Sequence, residues 1–208
     1  MSTVSRLKGT FTLEQFLAHP EIDEKPYLEY FDGKVEAKVS PQSKHSLIQL
    51  RILMSLEEAA GSTSVGLPLP ELRCTFGGRS LVPDIVFLLQ EHLELDATGE
   101  IRNEISRPPD IHIEIVSPDQ SVRKNRDRIV FSIAHGCPLG WLIDPERKKV
   151  EVHRPGRPVE ALSGEGHLEG DHVLPGYRLA LSELFGWLRP PTRRPPASGP
   201  PGPGGPGS

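Results

Sequence analysis

Asp84 and Glu114 are the residues of this chain best placed to do chemistry. Each lies in an apolar run, Leu81-Val-Pro-Asp-Ile-Val-Phe-Leu-Leu89 and Ile111-His-Ile-Glu-Ile-Val116. Near-continuous apolar runs of this length read as strands buried on both faces. A carboxylate inside such a run is costly unless it is paired or bound to a metal. Two of them, in successive strands, point to a divalent-cation site and so to metal-assisted phosphodiester hydrolysis. That reaction needs the phosphate charge neutralised and a water made nucleophilic, and one or two Mg²⁺ ions supply both. Mg²⁺ takes oxygen ligands, often only one or two carboxylates among them. The competing structural reading has Asp84 capping a turn after Pro83 and Glu114 paired with a buried arginine.

Positive charge for a phosphate is concentrated in Arg123, Lys124, Arg126 and Arg128. These lie on a helix predicted from about Gln120 to His135 and stopped by Gly136. At about 100° per residue, Val122, Arg126, Ile129, Val130 and Ile133 share one stripe. Arg126 is therefore expected to face the sheet, with Arg128 about 100° to one side of Ile129. Either arginine suits a phosphate. Arg126 suits equally well a buried ion pair with Glu114 or Asp110, and the whole cluster a solvated helix face. Residues two apart on a strand share a face, so His112 and Val116 are expected to point the same way as Glu114. His45, near the start of another helix, fits a cap, a core hydrogen bonder or a site residue.

These residues need elements to hold them. Thr12-Leu-Glu-Gln15 has the form of a capping box, which predicts a short helix to about Ala18. Tyr27 to Val39 reads as a hairpin turning at Asp32-Gly33, with Val35, Ala37 and Val39 on the half-buried face. Ser43 to Ala59 reads as a helix whose apolar stripe is Leu47, Leu50 and Met54, with Leu53 beside them. Strands are expected near Val65–Leu67, Leu72–Phe76, Leu81–Leu89, Ile111–Val116, Leu139–Asp144 and Lys149–His153. Residues 90–108 read as a loop or short helix. Ser182 is placed to cap a last helix carrying Leu184, Phe185 and Leu188. The order predicts an α/β fold, a mixed sheet flanked by helices, with Trp141 in its core.

Composition narrows the classes. The chain has 208 residues, and the last 20, from Arg189, hold eight Pro and five Gly. They read as a disordered tail behind one domain spanning residues 1–188. The net charge of −4 rules out a generally basic nucleic-acid binder, so phosphate recognition has to be local. No apolar run approaches the roughly 18 residues of a membrane span. With no signal-peptide core, and with Cys74 and Cys137 at no metal or redox spacing, the expected setting is the cytoplasm. Outside the Gly-rich stretch Gly199 to Gly207, which reads as tail and not as a phosphate cradle, there is no Gly-x-Gly-x-x-Gly, and the chain has no His-Glu-x-x-His and no Gly-x-Ser-x-Gly.

The ordered set of motifs resembles the PD-(D/E)xK nuclease superfamily, and within it the Uma-two branch of restriction-endonuclease-like proteins. The residues that carry the resemblance are Glu29-Tyr-Phe-Asp-Gly33, Ser40-Pro41, His45, Pro83-Asp84, Pro109-Asp110, Glu114, Ser117-Pro118, Gly136, Trp141 and Asp144-Pro145. It implies a restriction-endonuclease-like core, a Mg²⁺-dependent DNA endonuclease in which Mn²⁺ can substitute, and a metal site of Glu29, Asp84 and Glu114. Two departures stand out. The superfamily lysine two residues after the Glu is Val116 here. The helix lysine of the Uma-two branch is Arg128, with Ser132 where a Tyr is usual. Arginine keeps the charge and grips phosphate with two hydrogen bonds, but it does not deprotonate water. The base would then be a metal-activated water, Lys124 or His45. The alternative is a decayed nuclease fold that binds nucleic acid or protein without turnover. A homodimer would suit an enzyme that cuts both strands.

Overall fold

Thr12 starts the first helix as the capping box requires. Its hydroxyl accepts from Gln15 N at 3.2 Å, and the Gln15 side chain accepts from Thr12 N at 2.9 Å. The computed structural model describes residues 10–38, 41–61, 64–118 and 120–189. Helix α1 (Leu13–Leu17) is followed by a hairpin of β1 (Leu28–Phe31) and β2 (Lys34–Ala37). Asp32 and Gly33 make its two-residue turn with φ of +46° and +88°, the left-handed pair that matches strand twist. The long helix α2 (Ser43–Gly61) leads to β3 (Gly66–Pro70), β4 (Arg73–Phe76), β5 (Arg79–Leu81) and β6 (Ile85–Leu89). Residues 90–108 are mostly loop, with one 3₁₀ turn at Gln90–His92 and the two-residue strand β7 (Glu104–Ile105). Then come β8 (Ile111–Ile115), α3 (Val122–Ala134), β9 (Leu139–Asp144) and β10 (Lys149–His153). The chain finishes with β11 (Glu160–Ser163), β12 (His167–Glu169), β13 (Arg178–Ala180) and α4 (Leu181–Gly186).

The architecture is the expected mixed α/β fold. The main sheet has the order β11-β10-β9-β8-β6-β3, and a second sheet has the order β2-β1-β5-β4-β7. In the main sheet only β8 and β9 run parallel, with α3 as their crossover. One face of the main sheet, with Ile85, Phe87, Ile111, Ile113 and Ile115, packs on Ile48, Ile52, Leu56 and Ala60 of α2. The other face carries Val116 and Leu142 against Ile129 of α3. Trp141 is fully buried and stacks on Tyr177, ring centroids 5.9 Å apart. Cys74 and Cys137 are free thiols inside the core.

Several expectations change. Leu81–Leu89 is not one strand. Leu81 ends β5 in the second sheet, and Ile85 begins β6 in the main sheet. Val82, Pro83 and Asp84 carry the chain from one sheet to the other, since Pro83 has no N–H to give a ladder. The stripe read on α2 is out of phase. Leu50 and Met54 are each 54% exposed, and the buried line runs His45, Ile48, Ile52, Leu56 and Ala60. On α3 the buried residues are Asn125, Ile129 and Ser132, while Val130 is exposed. Ser182 lies inside α4, whose N-cap is Ala180. Strands β11 to β13 were not expected at all. Residues 190–208, nearly all of the Pro/Gly-rich tail with Arg193 and Arg194, lie outside the described residues. Among the described residues no helix is long and apolar enough to cross a membrane.

Candidate active site

Asp84 and Glu114 come together because β6 and β8 pair antiparallel with Ile85 opposite Ile113. Carried one residue further, that register sets Asp84 beside Glu114. The amide of Ile115, the residue after Glu114, donates to Asp84 Oδ2 at 2.7 Å. Both carboxylates are buried, as is Glu29 on β1. All three act on the same two cations, Lys38 and Arg128.

Each is held in a different way. Glu114 Oε1 lies 3.0 Å from His112 Nε2, and His112 Nδ1 lies 2.6 Å from the Ser132 hydroxyl of α3. His112, Glu114 and Val116 do share the face toward α3, as the two-residue period requires. Glu29 Oε1 accepts from Val82 N at 2.8 Å, and its Oε2 pairs with Arg128 Nη2 at 2.5 Å. Asp84 Oδ1 is buried and makes no hydrogen bond. Its contacts are ionic, with Lys38 Nζ at 2.8 Å and His45 Nε2 at 3.4 Å. His45 is fixed in turn by Ser117, Nδ1 to Oγ 3.1 Å.

Two protein cations answer these carboxylates. Lys38 follows β2, donates to the Val82 carbonyl and is nearly enclosed. Burial works against its charge, but Asp84, Glu114 and Glu29 outweigh that and raise its pKa. Burial likewise opposes the charge of Arg128, which Glu29, Glu114 and Asp84 hold firmly in place. Arg128 also donates to Asn125 Oδ1 at 2.8 Å and lies over the Phe31 ring at 5.3 Å. Burial alone would push the Asp84 pKa up, yet the Lys38 ammonium and His45 hold it well below the usual carboxylate range.

Lys38 is the residue that the sequence reading missed. In the hairpin the apolar residues alternate at Val35, Ala37 and Val39, which assigns Lys38 to the polar strand face. Only the docking of the second sheet against Asp84 turns that face inward.

The other expected residues divide. Lys124 pairs with Glu36 at 3.0 Å and, with Arg128, lines a cleft of about 360 Å³ together with Phe31, Lys34 and Arg79. Arg123 projects into solvent, 87% exposed. Arg126 meets neither Glu114 nor Asp110. It forms a two-pronged pair with Glu151 of β10, at 2.7 and 2.6 Å, on the side of α3 away from Arg128. Asp110 is occupied structurally, accepting from Leu89 N at 2.8 Å and contacting His92 Nδ1 at 2.8 Å.

Within the expected metal trio of Glu29, Asp84 and Glu114, Glu29 differs by being paired with an arginine. Glu29 has both oxygens engaged, by Val82 N and Arg128. Among the described residues no three His, Cys, Asp or Glu side chains are grouped to hold a metal ion. The fit to a hard cation rests on Asp84 and Glu114. Asp84 Oδ1 is buried and already faces a cation, the Lys38 ammonium at 2.8 Å, and an all-oxygen pair suits Mg²⁺.

Comparison with known proteins gives the family and the fold. The sequence profile of the Uma2 family, described as "Putative restriction endonuclease", matches residues 13–182. The chain belongs to the Uma2 family. A solved structure from Anabaena variabilis, described as "a putative nuclease belonging to DUF820", is similar at 36% identity and a TM-score of 0.82. The likeness covers 86% of this chain and 99% of that one. No curated protein matches the chain. In this Uma2 protein Asp84 and Glu114 lie side by side, and the cations beside them are Lys38 and Arg128.

Proposed function

We propose that this Uma2 protein is a Mg²⁺-dependent endonuclease that hydrolyses DNA phosphodiester bonds, with Asp84 and Glu114 as the metal-holding carboxylates. The observation that carries the reading is that these two buried acids lie side by side in the β6–β8 register at the sheet junction, with Asp84 Oδ2 held by the amide of Ile115, next to Glu114, at 2.7 Å. A bound divalent ion would neutralise the phosphate and make a water nucleophilic. The chain's own groups prepare the site. His112, backed by Ser132, orients Glu114, and the backbone orients Asp84. Arg128, permanently charged, offers a fixed guanidinium at the mouth of the cleft it shares with Lys124, Lys34 and Arg79. Phe31, in the same cleft, carries Arg128 and Arg79 against its ring, 5.3 and 6.0 Å from the centroid. His45, in contact with Asp84, is the base candidate nearest the carboxylates. Lys124, held by Glu36, belongs to the cleft wall, and with Arg123 it serves nucleic-acid binding. The cytoplasm is the compartment that suits such an enzyme.

A second reading is favoured by one feature: Val116 fills the superfamily lysine position and packs with Ile129 and Leu142. On that reading the fold binds nucleic acid without cutting it. Supercoiled plasmid and single-stranded DNA, incubated in Mg²⁺, Mn²⁺ or EDTA with wild type, Asp84→Ala and Glu114→Ala, separate the two. The nuclease reading expects cleavage that needs metal and is lost in both variants. Salt-dependent binding without cleavage by the folded wild type favours the binding module.

A further inference from the structure

Lys38 has no assigned role, yet it makes the closest ionic contact to Asp84. We propose that Lys38 is a tethered competitor for the divalent-cation position: in the metal-free chain its ammonium sits on Asp84 where the ion binds, and it withdraws when the site loads. The inference rests on the reading of Asp84 and Glu114 as metal-holding residues.

Three observations carry it. The first is what Lys38 touches. Its ammonium is 2.8 Å from Asp84 Oδ1 and donates to the Val82 carbonyl. One carboxylate oxygen and one backbone carbonyl are hard oxygen donors of the kind that Mg²⁺ takes. The second is which Asp84 oxygen is the more open. Oδ2 already accepts from Ile115 N, which leaves Oδ1 as the oxygen better placed for a cation, and Lys38 is already on it. The third is the contrast with Arg128. Arg128 is anchored by Asn125, Glu29 and the Phe31 ring. Lys38 holds by a compact charge on a four-carbon stem, which reorients more readily than a planar guanidinium in a matched fork.

Competition at a shared oxygen makes a specific prediction: removing the tethered charge tightens metal binding. Mn²⁺ binding to the full chain is measured by the electron paramagnetic resonance of free Mn²⁺, for wild type, Lys38→Met, Lys38→Gln and Lys38→Arg. Gln keeps an N–H donor for the Val82 carbonyl and protects against a variant that fails to fold. Met and Gln should bind Mn²⁺ tighter than wild type by on the order of tenfold or more, and Arg, which keeps the charge, should not. In EDTA the neutral variants should melt below wild type and regain more on adding Mn²⁺. On wild type with ¹³C-labelled lysine, Mg²⁺ should shift the Cε signal of Lys38, identified as the one lost in Lys38→Arg. Wild type and neutral variants binding Mn²⁺ equally, or the variants binding it more weakly, would overturn the competitor role alone. So would a Lys38 signal that stays put at saturating Mg²⁺. No Mn²⁺ binding by any folded variant would overturn both this role and the metal reading of Asp84 and Glu114.

Discussion

Arg128 of α3 and Glu29 of β1 form a buried ion pair, Nη2 to Oε2 2.5 Å, that ties the crossover helix to the N-terminal hairpin. Breaking a buried pair from one side leaves an uncompensated charge and costs roughly 3–5 kcal/mol, whereas removing both partners costs much less. Arg128→Met should therefore lose stability of about that size in urea titrations. The double variant Glu29→Gln/Arg128→Met should recover a substantial part of it. A single variant within about 1 kcal/mol of wild type would mean that Glu29 is effectively solvated.

Acid should expose the contribution of Asp84. Its folded carboxyl titrates below the ordinary value of 3.8: burial opposes ionisation, but Lys38 and His45 prevail. A depressed pKa stabilises the fold above the unfolded value and loses that contribution as pH falls through the folded one. Urea stability of wild type and Asp84→Asn in EDTA, compared from about pH 6 to about pH 2, should show a constant gap at the upper end that narrows below the unfolded pKa. A gap that is flat over the whole range would contradict the ionised, Lys38-paired state.

Gly140 of β9 is where the helix presses closest to the sheet. A Cβ there would come within 2.4 Å of Ile129 Cγ2. Gly140→Ala should cost about 1–3 kcal/mol by overpacking. It should also shift α3, and with it Arg128 and Ser132, so metal-dependent cleavage should fall further than stability does. Cleavage at the wild-type rate in a folded Gly140→Ala chain would show that the helix position is not critical.

Nucleic-acid affinity should divide α3 into two sides. Lys124→Ala removes a charge from the cleft that holds Arg128, and it should weaken binding with a salt slope reduced by roughly one. Arg126→Ala removes a charge already matched by Glu151 on the other side. It should leave affinity near wild type. Equal losses in filter-binding titrations across salt would place the nucleic acid on both sides of the helix.

The sequence was most informative where local rules act alone. The Thr12 box, the Asp32-Gly33 turn and the strands Leu139–Asp144 and Lys149–His153 need only capping, turn chemistry and alternation, and all appear as read. Asp84 and Glu114 were legible because a carboxylate in an apolar run is costly wherever it occurs. The errors came from phase and from docking. On α2, residues Leu50 and Met54 were legible as apolar but not as outward-facing, because Ile48, Ile52 and Leu56 make a second, equally good stripe. The helical wheel turned Arg126 toward the sheet correctly but gave the wrong partner, Glu114 or Asp110, because it carries no information about Glu151 on β10. Lys38 was invisible because its burial is created by a second sheet that no local pattern announces.

The ion pairs Lys38–Asp84 and Arg128–Glu29 each join the N-terminal hairpin to the main sheet or its helix, and Lys124–Glu36 repeats the tie at the surface. The charges that would handle a phosphate are thus also rivets between two halves of the molecule. Mutational drift that abolished turnover would still be penalised for removing them. A relative that keeps all of these acids and bases owes them first to its architecture, and a change of chemistry is better recorded at positions outside these ion pairs, such as Val116.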